Sequence, residues 1–315
     1  MQKLLLLSFV IGLSLKNYAQ INPAKNINNM DRGNDKDSSL ERAETGKGSS
    51  YFIAGIAVGN RLLSVHNKVV NSKETSAIAT IFTPSITYQN KSGFNLAVGT
   101  SLLNDSARGF SANQYYLSIG YQLPSNDNVD FAAIYTHYYI VDKYDASSSP
   151  IQNDFFTSLM FKKTWLQPSI AFDYSNGNSY DVTTKGRLYD SVTNKLKSYA
   201  FIASLNHEFN WESVFKKNDG FTFTPALLLN LGTSNVTLLH KTNATNIARL
   251  VGKKGKLTKF ENTGFAAESV GIDLSASYAM GKFSIEPDFY LDYYLPATTV
   301  SRFTNVFNIS LSYKF

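Results

Sequence analysis

The residues best suited to chemistry in this chain are carboxylates. In two late segments, alternation places Asp273, Ser275 and Ser277 on one face, and Ser284, Glu286, Asp288, Tyr290 and Asp292 on the matching face of the next segment. Asp273, Glu286, Asp288 and Asp292 then line one wall. Four acids in a confined space either attract cations or are neutralised by nearby bases. The basic residues at equivalent interior positions are Lys162, Lys282, Arg302 and Lys314. Other constellations are weaker. Asp173 precedes Ser175 by two residues, but a carboxylate is a poor base for a serine hydroxyl without an intervening imidazole. His66, His137, His207 and His240 form no i, i+2 or i, i+4 pair that would chelate a metal, and Asp142, Asp145 and His137 are near one another in sequence, which without geometry is a weak signal. There is no cysteine, which excludes a disulfide framework and a thiolate metal site. The expectation is therefore no catalytic residue, no metal ligand and no cofactor.

The elements that must position the acids are strands. The final segment, Phe307-Asn308-Ile309-Ser310-Leu311-Ser312-Tyr313-Lys314-Phe315, alternates apolar and polar at every step. Phe307, Ile309, Leu311, Tyr313 and Phe315 share one face and meet an apolar phase, while the other face meets water. From Tyr51 onward there are about twelve candidates of the length that a tilted membrane strand requires. They lie near 51–62, 76–89, 94–103, 113–123, 129–140, 153–163, 166–175, 197–211, 220–233, 267–279, 282–293 and 303–315. Their connections alternate between short turns, such as Asn90-Lys91-Ser92-Gly93, and longer loops, of which 175–196 and 234–266 are the longest.

This is the pattern of an all-β fold, a transmembrane antiparallel up-and-down β-barrel of about twelve strands, with ten or fourteen as the alternatives. Aromatics, 14% of the chain, collect at the strand ends: Tyr88, Phe94, Tyr121 and Trp211 toward the short-turn rim, Tyr139, Tyr174, Tyr199 and Tyr293 toward the other. Pro84, Pro168, Pro225 and Pro287 cut against the pattern, because each removes a ladder donor inside a strand candidate; bulges or frayed pairing at the short-turn rim would absorb them.

The closing strand, with terminal Phe315, Tyr313 two places before it and apolar residues at each alternate position further back, resembles that of bacterial outer-membrane β-barrels. The run Phe82-Thr83-Pro84-Ser85-Ile86-Thr87-Tyr88, continued through Gly93 to Phe94-Asn95-Leu96-Ala97-Val98-Gly99, is similar to the strand-turn-strand repeat of the porin-like outer-membrane barrel domain family. The resemblance implies an integral outer-membrane location and recognition of Phe307, Ile309, Leu311, Tyr313 and Phe315 as an assembly signal by the barrel assembly machinery. Asp173-Tyr174-Ser175-Asn176-Gly177 superficially resembles the His-x-Ser-Asn-Gly segment of outer-membrane phospholipases, but aspartate stands where that family needs histidine.

The beginning of the chain agrees with export. Lys3 opens a basic region, residues 4–15 are an apolar run too short to span a bilayer, and Ala19 offers a cleavage site, so residues 1–19 read as a signal peptide. Residues 20–50 read as a flexible periplasmic leader, with a small plug as the sharper alternative, and 51–315 as the barrel. An even strand count leaves both termini in the periplasm. A net charge of +6, scattered along the chain, argues against nucleic acid. Lys253-Lys254-Gly255-Lys256 reads as a solvated loop or a contact for lipopolysaccharide phosphates, and outer-membrane lipid and lipopolysaccharide are the expected surroundings. The expected function is porin-like passage or binding of small solutes through a narrow lumen. A structural or accessory barrel docking a surface or secretion assembly through its long loops is the alternative, and an outer-membrane hydrolase is a third.

The closing strand yields a test. Deleting Phe315, or replacing Tyr313 and Phe315 with Ser, should lower the outer-membrane level of the protein while export across the inner membrane continues. Unchanged abundance and heat-modifiable mobility in fractionated membranes would refute the role in assembly.

Overall fold

The structure, a computed structural model, describes residues 49–65, 75–105, 109–124, 126, 128–141, 151–185, 188–242, 256–262, 264–295 and 303–315. The signal-peptide expectation, nearly all of the leader, Arg302 and residues 253–255 of the basic cluster lie outside them, and the cluster's Lys256 opens a strand paired to Lys241. Among the described residues there are fourteen strands: β1 (Tyr51–Val65), β2 (Thr75–Gln89), β3 (Phe94–Asp105), β4 (Gly109–Gln122), β5 (Val129–Ile140), β6 (Ile151–Phe161), β7 (Gln167–Lys185), β8 (Leu188–Asn206), β9 (Phe209–Glu212), β10 (Asp219–Thr242), β11 (Lys256–Asn262), β12 (Ala266–Met280), β13 (Phe283–Tyr294) and β14 (Phe303–Lys314).

Each strand pairs antiparallel with its neighbour, β14 pairs with β1, and β8 pairs with β10, so the ring closes on itself. Two of the fourteen are not separate staves. β9 continues β8 in the same register: Asn206 faces Ala226 on β10 and Phe209 faces Phe223. The break between them falls opposite Pro225, which has no N–H to give, and the His207 amide bonds the Pro225 carbonyl instead. Among the described residues β11 pairs with the far end of β10 alone, beyond β12. What remains is a closed barrel of 12 strands.

Sidedness follows from the alternation. Phe94, Leu96 and Val98 on β3, Tyr115 and Ile119 on β4, and Leu227 and Leu229 on β10 are exposed on the outer wall. The same face of β14 carries Phe307, Ile309, Leu311, Tyr313 and Phe315, all exposed. A continuous apolar exterior on a closed barrel is the mark of a wall that faces lipid. Ring pairs run along the short-turn end of this wall, with Phe52 on Tyr88, Phe94 on Tyr121 and Trp211 on Phe221 at centroid distances of 5.0, 5.2 and 5.5 Å. At the other end the Tyr174 ring is tilted against Tyr199 and the Tyr293 ring against Phe303. The core lies in the lumen, where Ile53, Ile134, Tyr138, Phe156, Met160, Ile202 and Tyr290 are buried.

One expectation needs correction, and another resolves to one of its two alternatives. Residues 175–196 and 234–266 are not simply long loops: β7 and β8 run together as far as Lys185 opposite Leu188, and β10 carries on to Thr242 between β8 and β11. The stretch Asn176 to Lys185 is polar at most positions, because a ladder that has left the membrane needs no apolar face; Tyr180, Val182, Thr183 and Thr184 supply the β-propensity. For the prolines, it is local gaps in pairing, and not bulges, that absorb them. Ile81 faces Leu103 and Ser85 faces Gly99 in one register, with only the pairs around Pro84 skipped, and the β12–β13 ladder likewise skips the pairs around Pro287. Each of these two prolines turns its missing donor toward one neighbour and stays in ladder with the other, Pro84 opposite Ile56 and Pro287 opposite Ile309. The register shifts lie elsewhere, at Ser101/Leu102, Ile151/Asn153 and Asn230/Leu231.

Short turns are fixed by local chemistry. Gly93, at φ 100°, and Gly281, at φ 58°, take backbone conformations that L side chains resist. Between β9 and β10, the Phe215 and Lys216 amides and the Tyr278 hydroxyl all donate to Asp219 Oδ2, which pins that turn to β12.

Candidate functional site

The site is the lumen. Inward positions of β12 and β13 bring the four acids of the sequence reading to adjacent staves, with Asp273 opposite Tyr290, Ser275 opposite Asp288 and Gly271 opposite Asp292. The four are not equivalent. Asp292 is 4% exposed and belongs to a packed network nearer the long-loop end. There the Asn230 amide donates to Ser269 Oγ and the Tyr290 hydroxyl, both at 3.0 Å, and that hydroxyl donates to Asp292 Oδ1 at 2.7 Å. Gly271 makes room for the ring: a Cβ there would lie 2.5 Å from the Tyr290 hydroxyl. Glu268, 6% exposed, is buried on the same strand as Asp273.

Asp273, Glu286 and Asp288 instead line a cavity of about 220 Å³ toward the short-turn half. The Asp273 and Asp288 carboxyls are within hydrogen-bonding reach of each other, and Ser284 Oγ donates to Glu286 Oε1 at 2.9 Å. Asp130 and Glu208 add two further acids to the lining, and Gln122, Ser169, Ser204 and Asn206 make much of the rest polar. Phe156, Ile202, Leu228 and Val306 give it an apolar side.

The bases are placed differently from the acids. Lys162 Nζ lies 3.8 Å from Asp130 Oδ2, and Lys314 Nζ sits 3.9 Å above the Tyr51 ring at the rim. Lys282 is not on the wall: Gly281 reverses the chain and leaves Lys282 exposed in the β12–β13 turn. Asp130, Asp154, Asp173 and Glu268 are interior acids that the sequence reading did not count among the wall. Strand parity was available to find Asp130 and Asp154, which share the inward face with Ile134 and Phe156.

Asp173 and Ser175 are both buried inside, opposite Phe156 and Asp154 on β6. His137 lies on the outer wall, with Nδ1 2.8 Å from Asn153 Oδ1, and His207 Nδ1 is 2.6 Å from the Trp165 carbonyl oxygen. Among the described residues no three His, Asp or Glu side chains group in a way that could hold a metal ion.

No family model and no curated protein matches the sequence. Among solved structures the chain is similar to the NanC porin at 9% identity, with 83% of this chain and 100% of that one covered and a TM-score of 0.41. The translocator domain of the autotransporter NalP from Neisseria meningitidis is matched at 9% identity over 98% of both chains, with a TM-score of 0.34. The COG4313 outer membrane channel from Pseudomonas putida F1 is matched at 9% identity over 89% of this chain and 100% of that one, also with a TM-score of 0.34. The barrel assignment rests on the strand pairing of this chain, and no site is carried over from these proteins.

The Asn230–Tyr290–Asp292 network sets an expectation for stability. Tyr290→Phe removes one acceptor and one donor from buried partners, which costs about 1–3 kcal/mol. The heat-modifiability transition should fall accordingly, with membrane insertion retained. An unshifted transition would mean that the network does not hold the wall.

Proposed function

We propose that this chain is a bacterial outer-membrane barrel of porin-like type, non-enzymatic, that passes or binds small solutes through a narrow lumen. The observation that carries the reading is the polar, acid-lined cavity inside a barrel whose outer wall is apolar. At about 220 Å³ it is below the roughly 300–1,000 Å³ of pockets for drug-sized ligands, which fits small solutes. Both termini are read as periplasmic, since Tyr51 and Phe315 lie at the short-turn rim. The extension of β7, β8, β10 and β11 beyond the other rim favours a second reading, in which the barrel docks a surface or secretion assembly.

Planar-bilayer recording tests the first reading. Discrete conductance steps are expected, with a reversal potential that favours cations and a preference that weakens as salt shortens the Debye length. Glu286→Gln combined with Asp288→Asn should erase the preference without unfolding the barrel. Loss of thermal stability in place of selectivity would mean that these acids serve the wall, and silence in the bilayer together with a co-purifying partner would favour docking.

Orientation has its own test. A tag inserted between Lys185 and Leu188 should be reached by antibody on intact cells, and tags at Asn126 or Met280 should not. Labelling at Asn126 would invert the proposed topology.

A further inference from the structure

We propose that the lumen cavity is a binding site for a linear aliphatic diamine. The inference rests on the solute-handling reading above and names the solute class. The cavity is bounded by two facing walls. Along the ring, β14, β1, β2 and β3 separate β13 from β4 on one side, and β5, β6, β7, β8, β10 and β12 separate them on the other, so the two staves stand across the lumen from each other.

On the β12–β13 side the lining carries Asp273, Glu286 and Asp288, and Asp288 Oδ1 is buried with no hydrogen-bond partner among the described residues. On the β4–β5 side it carries Gln122 and Asp130. Gln122 is 7% exposed, and its Oε1 is buried without a partner while its side chain lines the cavity. A buried acceptor left unsatisfied costs about 1–3 kcal/mol, so an interior that holds two of them is suited to a ligand that brings donors. Asp130 is already shared with Lys162, which leaves Gln122 as the open acceptor on that wall.

The charge of the lining selects the donor. Asp130, Glu208, Asp273, Glu286 and Asp288 are on it, and none of its residues is Lys, Arg or His. Two carboxyls in contact, as Asp273 and Asp288 are, repel unless a proton or a cation lies with them. A metal ion is the poorer candidate, because no three ligating side chains converge among the described residues. Primary ammonium groups are donors only, three per nitrogen, and match acceptors on both walls. Between the walls, Phe156, Met160, Ile202 and Leu228 present apolar surface that a methylene chain can cover. Charged ends and an apolar middle describe a diamine.

The test is calorimetric titration of the full chain, folded in detergent, with 1,4-diaminobutane, uncharged 1,4-butanediol and anionic succinate at matched ionic strength. Saturable binding of the diamine alone is expected, weakened about tenfold by Asp288→Asn and by Gln122→Leu in chains that keep wild-type heat-modifiable mobility. Equal binding of the diol, no binding of the diamine, or diamine affinity unchanged in both variants would overturn the inference. Should a variant fail to fold, the ranking of the three probes on the wild-type chain decides. The outcome is separable from the porin-like reading: conductance without diamine binding overturns only the solute class, whereas diamine binding without conductance supports the site and counts against passage.

Discussion

Everything in this protein depends on closing the backbone ladder. In hydrocarbon an unpaired N–H or C=O costs several kcal/mol, so a sheet can cross lipid only if its first and last strands find each other. Here that contact is β14 on β1, where Lys314 faces Ile53 and Asn308 faces Gly59, and it is extended by the bond from the Phe315 amide to the Phe52 carbonyl. Gly59 permits the close approach, since a Cβ at that position would come within 2.6 Å of the Phe307 carbonyl oxygen. The seam therefore requires a small residue on one side as much as an alternating strand on the other.

Closure also explains how prolines are tolerated where no edge exists. Pro84 and Pro287 lose pairs on one side only, and the register resumes unchanged beyond them. A local gap of this kind leaves sidedness intact, whereas a one-residue slip would have turned every later side chain to the wrong face. The shifts that do occur, at Ser101/Leu102, Ile151/Asn153 and Asn230/Leu231, are farther from the short turns than the prolines.

How much of this was legible in the sequence depends on which solvent each residue faces. Inside the membrane the two faces of a strand meet unlike phases, so Phe94-Asn95-Leu96-Ala97-Val98 and Phe307-Asn308-Ile309-Ser310-Leu311 announce strand, register and orientation together. Past the rim that contrast vanishes, and Asn176 to Lys185 reads as a loop although it is laddered throughout. The acid wall was legible from parity, yet its division was not. Whether a carboxylate packs against Tyr290, as Asp292 does, or borders a cavity, as Asp288 does, depends on side chains from distant staves. Gln122 carried no signal at all, because a glutamine at the end of a strand is ordinary until its carbonyl is found buried and unpartnered.

β10 is 24 residues long, and at ~3.4 Å per residue it reaches about 80 Å, far more than a tilted stave needs to cross a hydrocarbon layer of about 30 Å. It is bonded to β8 along one side for most of that length and to β12 and then β11 along the other. A force applied at its outer tip would act along the strand axis and load many hydrogen bonds in parallel, the shear geometry in which sheets resist rupture best. Of the other staves only β7, laddered to β8 as far as Lys185, would share much of it among the described residues. The barrel thus has a stiff quarter and a compliant remainder, and whatever pulls at that rim pulls through the strand that also carries Asn230.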